Sequence, residues 1–237
     1  MEIDKRKVDE FKYEIRTETV AYSKAESLAN AEEEVYMDAI YLGYLDACRT
    51  FGNQRKIGRR DDEVEKLAEQ LRNYINEENA KFEHAKYCDT LKEGYGMSFG
   101  QAQKIVNMAF KYLYCLTKEG DKVRERFDVC HMPLDGVMLE WIYKNIQLPN
   151  GKKLIKGKIG AWSAMEEGDE TDVDSNGKYA YSFYQKILRE YCKANEMTQL
   201  QLDFENWKKM SLIIAAKTFL KYFNNDKEAA KKWIDKV

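Results

Sequence analysis

The sequence predicts an all-α protein: a helical bundle of long antiparallel helices with at most one small β-hairpin, near residues 146–155. Three observations carry this. The 237 residues include only 2 prolines and 13 glycines, too few breakers for a loop-rich or β-rich chain. Apolar residues recur at steps of three and four through most of the chain, the period of an amphipathic helix. The stretch Ser98 to Leu116, SFGQAQKIVNMAFKYLYCL, is apolar nearly all round, as a helix enclosed by other helices must be.

Taken in order, Val8, Phe11, Ile15, Tyr22, Ala25 and Ala29 keep helical spacing. Asn30 with Glu33 offers a cap for a second segment, whose face is Tyr36, Ile40, Tyr44, Ala47 and Phe51 and which ends at Gly52-Asn53. Residues 53–62 form a basic loop with Arg55, Lys56, Arg59 and Arg60, read as a solvated loop or as a phosphate contact. Asp62 and Glu65 make a second capping box. Val64, Leu67, Leu71, Ile75, Phe82 and Ala85 then share a face as far as Leu91, with a break expected at residues 77–79.

The central helix starts at Ser98, with Gln101 three residues on. Beyond it, residues 121–127 read as briefly helical. Pro133 suits the first turn of a helix from Leu134 to Tyr143, which leaves His131 in a tight turn. Asn150-Gly151 inside IQLPNGKKLI signals the hairpin, and Lys152, Lys153, Lys156 and Lys158 make a second basic patch. Residues 166–177 read as a mobile acidic loop, and Lys178 to Lys193 as an amphipathic helix. Phe204 to Phe223 reads as a buried helix, and Asn225 or Asp226 as the cap of a last one carrying Trp233 and Ile234. The chain reads as a single helical domain, 1–237, with a soft boundary near 120–145; its length suffices to bury a substantial core.

The polar residues of the central helix are the informative ones. Gln103, Lys104, Asn107 and Lys111 line up at helical spacing. One reading has this line facing solvent. The other makes it a shallow site in which ammonium and amide donors meet an anionic ligand or nucleic acid. His131, one of 2 histidines in the chain, and Asp135 are expected to lie beside Lys104 or Asn107. The carboxylate could neutralise the lysines structurally, or a bound anion could do so functionally.

The FGQAQKIVNMAFKYL stretch, the HMPLD turn and the following AWS and tyrosine-rich helix resemble a group of small bacterial proteins of unknown function. These share an F-G-x-A-Q-K…N…K-Y-L helix and an H-x-P-x-D turn. The resemblance covers the second half of the chain and implies a helical fold and a site at Gln103, Lys104, Asn107, Lys111, His131 and Asp135. It implies no activity. The acidic insert after Met165 departs from it.

Other constellations are weaker. Arg126-x4-His131 has the spacing of the HEPN ribonucleases, helical and metal-independent enzymes in which histidine and arginine assist attack of a 2′-hydroxyl on phosphate. Here Phe127 follows the arginine and Pro133 draws the histidine into a turn. Asp172, Asp174 and Asn176 with Gly177 match the first half of a calcium loop, but Phe183 stands where a bidentate Glu is needed. His84, Cys88, Cys130 and His131 could supply zinc ligands, with an awkward adjacent pair. There is no Walker loop, GxGxxG, HExxH or GxSxG, and no cofactor is expected. A net charge of −2 and a pI near 5.9 give no global attraction for nucleic acid.

Five cysteines without a CxxC pair fit reduced thiols. With no secretory apolar segment at the N-terminus and no membrane-spanning window, the expected setting is the cytoplasm, without a membrane partner. Three functions follow: an anion-binding or nucleic-acid-binding protein, a HEPN-like ribonuclease using Arg126 and His131, or a non-enzymatic protein-interaction module, with a homodimer compatible with each. The balance is against an enzyme.

Overall fold

The computed structural model describes residues 34–51, 57–117, 120–148, 151–169, 173–222, 224–228 and 231. The helical readings before residue 34, Arg55 and Lys56 of the first basic loop, Asn150 of the hairpin turn, Asp172 of the calcium motif, and Trp233 and Ile234 lie outside these residues.

The described residues build an all-α bundle. Its helices are α1 (Val35–Phe51), α2 (Asp62–Asn76), α3 (His84–Tyr95), α4 (Phe99–Leu116), α5 (Gly136–Asn145), α6 (Tyr181–Ala194) and α7 (Gln199–Tyr222). Short 3-10 turns lie at Lys122–Phe127, Lys156–Lys158 and Trp162–Ala164. No strand forms among them. The predicted hairpin reduces to one antiparallel bridge between Gln147 and Lys153, and a second joins Val173 to Tyr179.

α4 is the axis. Its capping box forms as its sequence requires: Gln101 N–H donates to Ser98 Oγ at 3.1 Å, and Ser98 N–H donates to Gln101 Oε1 at 3.2 Å. Val106, Ala109, Phe110 and Leu113 are wholly buried. Phe110 meets Tyr74, Phe82 and Phe127 edge-on and Tyr87 at a tilt, arrangements that suit the ring quadrupole.

Two glycines set how closely neighbours approach α4. A Cβ on Gly43 would stand 2.7 Å from the Ile105 carbonyl oxygen, so α1 crosses α4 with the backbones nearly touching. A Cβ on Gly100 would collide with the Trp162 carbonyl. The 3-10 turn at Trp162 therefore seats directly on the start of α4, where Ser98 Oγ donates to Ser163 O at 2.5 Å and Gly100 N donates to Met165 O at 2.9 Å.

Several boundaries differ from the sequence reading. The N-cap of α2 is Asp61, not Asp62, and its carboxylate accepts from Gly58 N (2.7 Å) and Tyr95 OH (2.8 Å) instead of capping the helix. α5 starts at Gly136, with Asp135 as N-cap, so Pro133 precedes the helix instead of opening it. Arg59 pairs with Glu34 and Asp38, and Arg60 with Glu34, tying the first basic loop to the start of α1. The acidic loop is anchored: Glu166 O and Glu167 O accept from Tyr181 N and Ser182 N, and the Glu166 carboxylate accepts from Ser175.

The largest correction concerns α7. It begins at Gln199, before the expected Phe204, and its most apolar part is not buried: Leu212 is 64% and Ile213 45% exposed. Helical spacing predicts a helix but does not say what covers it.

Phe110→Ala should destabilise the protein by about 3–5 kcal/mol, because it opens a cavity where four aromatic rings converge. Urea unfolding followed by circular dichroism reads this directly, and a loss below about 1 kcal/mol would contradict the packing described.

Candidate functional site

The last residues before α5, from Met132 to Asp135, are irregular yet buried: Met132 and Leu134 have no exposure and Pro133 is buried. Buried backbone without regular structure needs outside partners for its N–H and C=O groups. α4 and α7 supply them. Gln103 Nε2 donates to Leu134 O (2.8 Å) and Gly100 O (3.0 Å), and Gln103 Oε1 accepts from Leu134 N (3.3 Å). Asn107 Nδ2 donates to Met132 O at 3.2 Å. Met132 N donates to Gln199 Oε1 at 3.1 Å, and Gln199 Nε2 donates to Gln185 Oε1 at 2.8 Å. Pro133 has no N–H to satisfy.

This overturns the solvent-facing reading of the polar line. Gln103 and Asn107 have no exposure and Lys104 has 4%. They face the HMPLD turn, which crosses over them.

Lys104 and Asp135 meet as the sequence suggested, at 2.9 Å, and Asp46 of α1 lies 3.3 Å from the same ammonium. The other Asp135 oxygen caps α5 by accepting from Val137 N (3.0 Å) and Met138 N (2.9 Å), and Trp207 Nε1 donates to Asp135 Oδ2 at 2.9 Å. Burial alone would discharge Lys104, but Asp135 and Asp46 outweigh it and hold its ammonium above the usual lysine value. Burial likewise opposes the Asp135 carboxylate, yet Lys104, the Met138 N–H and Trp207 keep it below the usual range. Lys111, further along the line, is half-buried and pairs with Asp203 at 2.6 Å. Burial of Asp203 outweighs that lysine and lifts its carboxyl above the usual range.

His131 lies on the other side of Asn107, joined to it through Tyr181. Tyr181 OH is 2.9 Å from His131 Nδ1 and 3.2 Å from His84 Nε2, and it accepts from Asn107 Nδ2 at 3.0 Å. His84 Nε2 is 2.8 Å from Asn107 Oδ1. The two imidazole rings are 4.4 Å apart at their centroids. Proton positions follow from the acceptors. Asn107 Nδ2 faces carbonyl and hydroxyl oxygens, so its Oδ1 accepts and His84 carries its proton on Nε2. The Tyr181 oxygen already receives Asn107, so its own proton goes to His131 Nδ1.

Cys88 Sγ, 3.8 Å from both ring nitrogens of His84, completes the cluster. Burial pushes His84 down to about 4, against the pull of Asn107, and pushes His131 well below the usual histidine value, with His84 and Arg189 adding to the effect. Burial also raises Tyr181 and Cys88 well above theirs. Each hydrogen bond in the cluster is therefore made between neutral groups.

The other candidates are placed differently. The Arg126 guanidinium makes five hydrogen bonds to the carbonyls of Tyr74, Glu77, Glu78 and Ala80 and stacks on Tyr74, closing the end of α2. His131 is engaged with Tyr181, Phe82 and His84. Asp174 Oδ1 accepts from Asn176 N and Lys178 N within its own turn. Among the described residues no group of three or more His, Cys, Asp or Glu is arranged to hold a metal ion, and no helix is long and apolar enough to cross a membrane. A cavity of about 240 Å³ lies beside α5, between Leu139, Tyr143, Lys156 and Trp162, and none of the candidate residues lines it.

Tyr181, Trp207, Gln199 and Asp46 are partners that the sequence reading missed. Each sits on another helix, far along the chain from the group it binds: Tyr181 is 74 residues from Asn107, Trp207 is 72 from Asp135 and Gln199 is 67 from Met132, while Asp46 precedes Lys104 on α1. Compared with protein-family models, curated proteins and solved structures, the chain matches none.

Lys104→Met should cost about 3–5 kcal/mol, because it leaves two carboxylates facing a buried void of charge. Inorganic phosphate should leave the wild-type melting temperature unchanged; a rise would mean that an anion reaches the ammonium.

Both histidines are neutral when folded and take up protons near pH 6.5 when unfolded. The unfolded chain then binds more protons, so stability should fall as pH drops from about 6.5 toward 4, by up to about 1.4 kcal/mol per pH unit for each histidine. Asp203 works in the opposite sense, since its folded carboxyl takes up a proton earlier than the unfolded one. The measurement is therefore the difference in pH slope between wild type and His84→Gln with His131→Asn, and equal slopes would refute the neutral pair.

Proposed function

We propose that this protein is a non-enzymatic interaction module that docks a partner on the outer face of the second half of α7. The observation that carries the reading is the change of character along that helix. Its first half is anchored: Leu200, Leu202 and Met210 are buried, and Trp207 bonds Asp135. From Leu212 onward the apolar side chains continue, but Leu212, Ile213, Ala215 and Ala216 are exposed. Contiguous exposed apolar surface of this kind is the mark of a contact face.

The polar line on α4 supports this choice indirectly. Its amides and ammonium groups hold the protein's own turn and carboxylates, which leaves less for an outside anion. Arg126 likewise holds the end of α2, its guanidinium turned to the carbonyls of Tyr74, Glu77, Glu78 and Ala80, whereas His131 faces Tyr181; a paired acid–base mechanism would call for the two to face each other. A cytoplasmic setting fits Cys88, Cys130 and Cys192, which are buried and stand as thiols.

The test is Leu212→Asp with Ile213→Asp. If the face serves a partner, the fold should keep its stability within about 0.5 kcal/mol, as for other exposed positions. A photo-crosslinking residue at position 212 should give a discrete adduct in the host cell that one placed at exposed Glu190 does not. Unfolding of the double variant, or no adduct at 212, would refute the reading.

A further inference from the structure

Resting on that reading, we propose that the partner presents an acidic amphipathic helix, its apolar stripe laid against Leu212, Ile213, Ala216 and Leu220 and its carboxylates against the bordering lysines.

The shape comes from spacing. Leu212, Ala215 and Ala216 stand at i, i+3 and i+4, and Ile213, Ala216 and Leu220 at i, i+3 and i+7, so two rows run side by side along the outer face. The rows extend over nine residues, about 13 Å of helix. The paired alanines between larger side chains leave a shallow trough, into which ridges of a second helix can pack. A helix seated in an apolar groove by i, i+3, i+4 and i+7 anchors is a recurring mode of recognition.

The charge comes from what flanks the trough. Between Asn206 and Asn225 the chain has Lys208, Lys209, Lys217 and Lys221 and no acidic residue, although the whole chain is net negative. All four lysines are exposed. Lys217 also stands against Lys144 of α5, itself paired with Glu140 at 2.7 Å, and the Lys144 contact outweighs Glu140 and pulls the Lys217 ammonium below the usual lysine value. Like charges gathered around an apolar face favour a partner of opposite sign.

Two other occupants fit less well. A second copy would bring the same four lysines to both sides of the contact, and the acids nearby offset few of them, Glu140 being paired with Lys144 and Glu205 lying two turns before Leu212. One three-turn trough is also small against the roughly 800 Å² per partner of a stable interface. A flat anionic lipid surface laid along α7 would meet exposed Glu205, which lies two turns before Leu212 on the same face. A short helix avoids that carboxylate.

The experiment uses the full chain and two synthetic helices of about four turns with identical Leu/Ala stripes, one flanked by Glu and the other by Lys. Fluorescence anisotropy reads binding at low and high ionic strength. The Glu helix should bind at least about tenfold tighter than the Lys helix, with the advantage shrinking as salt rises. Charge reversal at Lys208, Lys209, Lys217 and Lys221 should invert the preference, and Leu212→Asp with Ile213→Asp should abolish binding of both. Equal binding of both helices, lost in the Leu212/Ile213 variant, would overturn the acidic partner while leaving the docking face intact. Binding of neither helix, binding instead to phosphatidylglycerol vesicles, or a dimer by light scattering that the Leu212/Ile213 variant dissolves would each overturn the proposal. The position-212 adduct judges the docking face independently.

Discussion

An irregular segment buried in an apolar interior must find a partner for every backbone polar group, and the rest of this structure is arranged around that requirement. Residues 131–135 cross the face of α4 without regular structure. Gln103, Asn107 and Gln199 act as replacement backbone: Gln103 presents both a donor and an acceptor to Leu134, Asn107 a donor to Met132 O and Gln199 an acceptor to Met132 N. With the segment held, Asp135 reaches Lys104 and caps α5, and Trp207 fastens α7 to the same carboxylate. The amide line therefore fixes the register of α5 and α7 against α4. An aliphatic replacement at Gln103 would fill the volume and still orphan both polar groups of Leu134.

Much of the bundle was legible in the sequence. The box at Ser98 and Gln101, the all-round apolar character of α4 and the turn before α5 are local patterns, and local patterns survive folding. The pairing of Lys104 with Asp135 was also within reach, because a lysine in an apolar helix needs a counter-charge and a short connection limits where one can come from. What could not be read was the cover. The polar line on α4 has the spacing of a solvent-facing stripe, and a stripe turned toward a buried irregular segment has the same spacing. Tyr181 and Trp207 lie 74 and 72 residues from their partners, and nothing local distinguishes them from other aromatic residues in amphipathic helices. The same ambiguity ran the other way for α7, where an apolar sequence suggested burial and Leu212 lies open.

The histidine cluster and the charged pair flank Asn107 and Gln103 under different electrostatic rules. On one side Lys104, Asp135 and Asp46 are charged and compensate one another. On the other, His84, His131, Tyr181 and Cys88 are neutral, and their hydrogen bonds have a fixed direction because Asn107 sets the first of them. One primary amide thus orients a neutral network while its neighbour one turn earlier holds the backbone. Buried polar networks of this kind specify a unique arrangement when each member is satisfied.

The way Arg126 closes α2 carries a consequence for the order in which the chain takes shape. Carbonyls at the end of a helix are ordinarily satisfied by residues that follow directly, as Glu77 N–H does for Asn73 O, but Tyr74 O and the carbonyls of the chain that leaves α2 also take a guanidinium 46 to 52 residues downstream. During synthesis the end of α2 emerges long before Arg126, and throughout that interval Tyr74 O and the carbonyls just past the helix lack that partner. Fastening this helix end is thus in part a tertiary event. It raises the contact order of an otherwise locally wired bundle and makes the Lys122–Phe127 turn a late-arriving part on which an early-formed helix depends.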